Sequence, residues 1–75
     1  MMNNYVYKDD IIPLFLSFCI EQYAKQNGID GENAMKILLD TGTLKYLQDN
    51  YEVLHTQSPQ WILEDVNDYI ANHKA

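Results

Sequence analysis

Arginine is absent, and five lysines face eleven aspartates and glutamates, for a net charge of −6 over 75 residues. Without a guanidinium the chain lacks the usual two-pronged reader of phosphate and guanine, and its negative surplus repels a phosphodiester backbone. Nucleic acid is therefore not an expected partner. Cysteine occurs once, at Cys19. No internal disulfide can form, and a lone thiol inside an apolar run is most simply a small core hydrophobe. The three glycines are isolated from one another, so no phosphate-cradling loop exists. The apolar run from Ile11 to Ile20 is interrupted by Pro13 and Ser17. It is half of the roughly 20 residues needed to span a bilayer. Lys8 is followed by Asp9 and Asp10 in place of a small-residue cleavage site, so no secretory leader is expected. These features fit a cytoplasmic protein with no membrane contact. Neither C-x-x-C nor H-x-x-x-H occurs, and no metal or other cofactor is expected.

What is present suits one small globular domain over residues 1–75, with 47% hydrophobic residues. The local signals predict an all-α bundle of about four helices, alone or paired as a dimer. Residues 1–9 read as a tail, with "YVY" at 5–7 too short for a strand. The first helix is expected over 10–27, capped by Asp9 or Asp10, with Pro13 in its first turn and a stop at Asn27-Gly28. The second is expected over 30–41, capped by Asp30 and ended by Thr41-Gly42. The third, over 43–55, has Thr43 as its expected cap and a stripe of Leu44, Leu47, Tyr51 and Leu54, loosened at Asn50. The fourth, over 59–73, opens on Ser58 as N-cap and Pro59 at its first position.

Helical wheels at 100° per residue carry more information than the boundaries. In the first helix Ile12, Leu16, Cys19, Ile20 and Tyr23 share one face, while Ile11, Leu14, Phe15 and Phe18 fill most of the other. A helix apolar nearly all round is either central or meets a second molecule, and the second face is the candidate oligomer interface. In the last helix Ile62, Leu63, Val66, Tyr69 and Ile70 form the core stripe, opposite Glu64, Asp65 and Asp68. Trp61 falls on the acidic side. It either folds back over the corner onto Tyr51 or His55, or stands exposed among acids as an anchor for a basic partner. Between Tyr46 and His73 the chain has five acids and no lysine, an anionic surface that suits such a partner.

Nothing specifies a reaction, and the chain is not expected to be an enzyme. His55 is the obvious acid–base candidate, with Glu52 three residues before it and Thr56 and Ser58 close behind. Near a helix C-terminus, however, a histidine ordinarily caps and packs. A helix-turn-helix around Thr41-Gly42-Thr43 is disfavoured, because its recognition helix would carry Asp49 and Glu52 against Lys45.

Three clusters carry a family resemblance over about residues 11 to 70: Phe15, Ile20, Glu21 and Tyr23; Tyr51, Leu54, His55 and Thr56; and Asp65, Val66, Tyr69 and Ile70. The order resembles a family of small, mostly bacterial domains of unknown function, and "YEVLHT" is its most specific piece. That family resembles companions of ADP-ribosyltransferase-like toxins, which implies an antitoxin or accessory binder and no catalytic residues. Here "QSP" stands where a glycine is common after the His-Thr pair. The expectation is a protein-interaction domain whose partner-binding residues are Trp61, Glu64, Asp65, Asp68, His55 and Thr56. The alternatives are a homodimerisation module and a small enzyme using His55.

Overall fold

The computed structural model describes residues 8–73, with side chains from Ile11 onward. The expected tail is outside the described residues except for its last two positions, and "YVY" is wholly outside them. Among the described residues five helices follow one another: α1 (Lys8–Asn27), α2 (Gly31–Asp40), α3 (Thr43–Asp49), α4 (Tyr51–Leu54) and α5 (Pro59–Asn72). No strand occurs among the described residues, and the fold is all-α.

α1 is already helical at Lys8, so Asp9 and Asp10 lie inside it and neither precedes it as a cap. Pro13 consequently sits at the sixth helical position, beyond the first turn. There its missing N–H removes one rung of the i→i−4 ladder. The other end follows from glycine chemistry. Gly28 has φ 65°, its N–H donates to the Lys25 carbonyl at 3.3 Å, and the Ile29 N–H reaches back to Ala24 at 3.0 Å. These two bonds satisfy the Ala24 and Lys25 carbonyls in the last turn of α1, and Ile29 packs against the core behind them.

Asp30 then caps α2, accepting the Asn33 N–H at 2.8 Å. Two residues at the next corner behave differently from expectation. Gly42, at φ 80°, is the N-cap of α3, while Thr43 is fully buried inside the first turn. Its hydroxyl pairs with Thr41 Oγ1 at 2.6 Å, and Thr41 also donates to the Ile37 carbonyl at 2.8 Å. The pair supplies a buried hydroxyl with a partner that the helix end alone does not provide.

Residues 43 to 55 form two pieces that meet at Asn50. Its φ of −112° and ψ of 20° leave the helical region. Its carboxamide Nδ2 and its own N–H both donate to the Tyr46 carbonyl, at 2.8 and 3.1 Å. Side-chain competition of this kind is what makes asparagine a poor interior helix residue. The break leaves Leu47 and Leu54 both buried, so the apolar stripe is kept while the rod is not.

The core comprises Cys19, Tyr23 and Ala24 of α1, Ala34 and Leu38 of α2, Leu47 of α3, Leu54 of α4, and Ile62 and Val66 of α5. α1 packs on α2, α3 and α5 and is the central element. Burying a leucine such as Leu38 or Leu47 contributes about 1.5–3 kcal/mol each. The second face of α1 divides. Phe15 packs against the core and meets the Tyr51 ring edge-on at 5.2 Å, and Ile11 is half-buried. Leu14 and Phe18 remain 65% and 39% exposed.

Candidate functional site

The site begins with the turn that starts α5. Ser58 Oγ accepts the Trp61 N–H at 3.4 Å, a long bond, and Pro59 presets the first helical φ. From there Ile62 and Val66 turn into the core. That phase leaves Trp61, Glu64, Asp65 and Asp68, at i, i+3, i+4 and i+7, on the opposite stripe. The indole is 64% exposed. It neither covers the corner nor stacks on Tyr51. The rings on Tyr51 are those of His55, stacked at 4.4 Å, and Phe15.

The acidic stripe faces the kinked α3–α4 segment across an open groove of about 360 Å³. Tyr46, Asn50 and Val53 line one side, and Trp61, Glu64 and Asp68 line the other, with the buried Leu54 between them. One bond ties the two walls together: the Tyr46 hydroxyl donates to Asp65 Oδ2 at 2.6 Å. Tyr46 is also stacked on Tyr69 at 4.4 Å. The hydrogen bond to Asp65, then burial, then the nearby carboxylate charge and Tyr69 push the Tyr46 phenol up to about 12. Asp65 is therefore half-buried and holds a structural bond, unlike the exposed Glu64 and Asp68.

Four of the six expected partner-binding residues come together at this groove: Trp61, Glu64, Asp65 and Asp68. His55 and Thr56 do not line it. His55 Nδ1 donates to the Tyr51 carbonyl at 2.8 Å, and the Thr56 hydroxyl donates to the Val53 carbonyl at 2.9 Å. Both side chains fold back onto α4: the imidazole shares the Tyr51 carbonyl with the His55 N–H, and the Thr56 hydroxyl takes a carbonyl of the last turn. His73 repeats the arrangement on α5, stacked on Tyr69 at 3.9 Å with Nδ1 against its carbonyl at 2.9 Å. Tyr46 and Val53 were not singled out from the sequence. The available signal was that both lie off the Leu44–Leu47–Tyr51–Leu54 stripe, and Val53 is 62% exposed.

The groove offers an indole, a phenol ring and carboxylates, which is chemistry for binding a cation beside an apolar surface. No group of three or more histidine, cysteine or acidic side chains among the described residues is placed to hold a metal ion. No described helix is long and apolar enough to cross a membrane.

No curated protein and no solved structure matches the chain. A family match extends from residue 14 to residue 73, four fifths of the chain and both walls of the groove, and the chain belongs to that family, Protein of unknown function (DUF3791).

Proposed function

We propose that this chain is a small acidic protein-interaction domain, not an enzyme, that acts as an antitoxin-like or accessory binder of a basic partner protein in the cytoplasm. The observation that carries the reading is the exposed Trp61 standing beside Glu64 and Asp68 on a groove. Exposed tryptophans are uncommon, and at interfaces they are the residues on which binding energy concentrates. The acidic surface speeds encounter with a positively charged protein, while the indole and Val53 prolong the complex. The resemblance to companions of ADP-ribosyltransferase-like toxins nominates a toxin of that kind as the partner.

The test is to co-express this chain with the product of the neighbouring gene and measure the affinity of the complex. Trp61→Ala is expected to weaken it by about 2 kcal/mol or more, roughly thirtyfold. Unchanged affinity in a folded variant removes the groove as the docking surface.

A second reading is favoured by a separate observation, the exposure of Leu14 and Phe18 on α1. With Ile11 and the inner edge of Phe15 they form an apolar strip suited to homodimerisation. Light scattering over a concentration series, with Phe18→Glu as the disrupting variant, decides it. A wild-type monomer at the highest concentration rules the dimer out.

A further inference from the structure

We infer that the groove between α5 and the α3–α4 segment receives an arginine side chain of the partner, with the guanidinium lying on Trp61 and held by Glu64 and Asp68. This rests on the docking reading above and names the chemistry that the groove selects. Glu64 and Asp68 are four residues apart on one helical face, with Trp61 one turn before Glu64. The two carboxylates make no hydrogen bond or ion pair with any described residue, and no lysine lines the groove. Elsewhere among the described residues, Lys45 is engaged by Asp49 at 3.1 Å and Lys36 pairs with Asp40 at 3.9 Å. The chain therefore leaves this negative charge for another molecule to neutralise.

The shape narrows the occupant further. A volume of about 360 Å³ lies near the lower bound of ligand-sized pockets, roughly 300–1,000 Å³, and admits one long side chain with its hydration. The walls are apolar as well as charged, since Val53 and the Tyr46 ring face the acids. A lysine ammonium is strongly hydrated and resists leaving water. A guanidinium is planar, more weakly hydrated, stacks on an indole and offers parallel N–H donors to two carboxylates. The Tyr46–Asp65 bond holds the two walls in register, so the pocket exists before the side chain arrives.

The test uses the full chain and three acetylated, amidated tripeptides: alanine–arginine–alanine, alanine–lysine–alanine and alanine–citrulline–alanine. Trp61 is the sole tryptophan, so indole emission reports the groove directly. The arginine peptide is expected to give a saturable change in emission. The lysine peptide should bind about fivefold or more weakly, and citrulline, equal in shape but uncharged, should give no saturable change. The double variant Glu64→Gln/Asp68→Asn should weaken arginine binding by about tenfold with an unchanged helical circular dichroism spectrum. A lysine or citrulline response equal to that of arginine, or no saturable response to arginine, overturns the inference. Undiminished arginine binding in the folded double variant does so too. The peptide comparison needs only the wild-type protein, so it decides the matter even if the variant does not fold. Loss of partner binding in Trp61→Ala without any arginine response would sink the guanidinium assignment and leave the docking reading standing. Arginine binding with an intact Trp61→Ala partner complex would do the reverse.

Discussion

The corner where α1, α2 and α3 meet and the cleft between α3–α4 and α5 use similar residues to opposite ends. At the corner, Ala34, Leu38, Thr43 and Leu47 are fully buried, and the Thr41–Thr43 pair leaves no hydroxyl alone. At the cleft, Trp61 and Val53 face solvent, and Glu64 and Asp68 have no partner among the described residues. Satisfied polar groups and excluded water stabilise a fold, whereas exposed apolar surface and unmatched charge leave free energy for a contact still to be made. The molecule keeps the two tasks on different helix faces. Substitutions at the corner should therefore change stability, and substitutions at the cleft should change recognition.

The sharpest way to test this division is to cut the corner. Leu47→Ala is expected to lose about 2–5 kcal/mol in denaturant unfolding, enough to unfold a domain of this size. Next is Gly42→Ala. Its φ of 80° strains an alanine by about 1–2 kcal/mol, although the added Cβ would meet the Tyr69 hydroxyl at an unstrained 3.8 Å. A thermal melt for Gly42→Ala matching wild type would break the account of this turn. The two helix caps allow a like-for-like comparison. Asp30→Ala should cost about 1 kcal/mol, because its 2.8 Å bond to Asn33 is short. Ser58→Ala should cost about half as much, because its bond to Trp61 is 3.4 Å long.

Smaller effects are expected at the cleft. The Tyr46 phenol is raised to about 12, against 10.0 for an ordinary tyrosine. The unfolded chain loses this proton first as pH rises, so the bond's contribution is complete below pH 10 and is lost as pH climbs through 12. Unfolding measured across that window should show a fall in stability that Tyr46→Phe reduces. Least of all, Trp61→Ala should change stability by no more than about 0.5 kcal/mol. A larger loss would mean that the indole supports the fold and that the two regions are not separate.

The parts of this plan that were legible in the sequence are those governed by short-range chemistry. Asn27-Gly28, Asp30 and Ser58-Pro59 each announce a helix end through one residue's φ or one side-chain bond. The placement of Trp61 with Glu64, Asp65 and Asp68 followed from helical periodicity alone. What escaped depends on residues distant in the chain. Phe15 sits on the boundary of two apolar faces, and the packed core together with the Tyr51 ring draws it inward. Asp65 looks like its acidic neighbours until Tyr46, 19 residues away, donates to it. The break at Asn50 was signalled, but its consequence, a second wall opposite α5, required the packed helices.

Cys19 has a practical consequence. The sole thiol of the chain is 1% exposed at the centre of α1, and burial pushes it from 9.0 up to about 11. A thiol-specific reagent can reach it only when the central helix leaves its neighbours. Where reclosing outpaces labelling, the labelling rate relative to that of the denatured chain measures the opening equilibrium in plain buffer. The native protein thus carries a built-in clock for the loss of its interior.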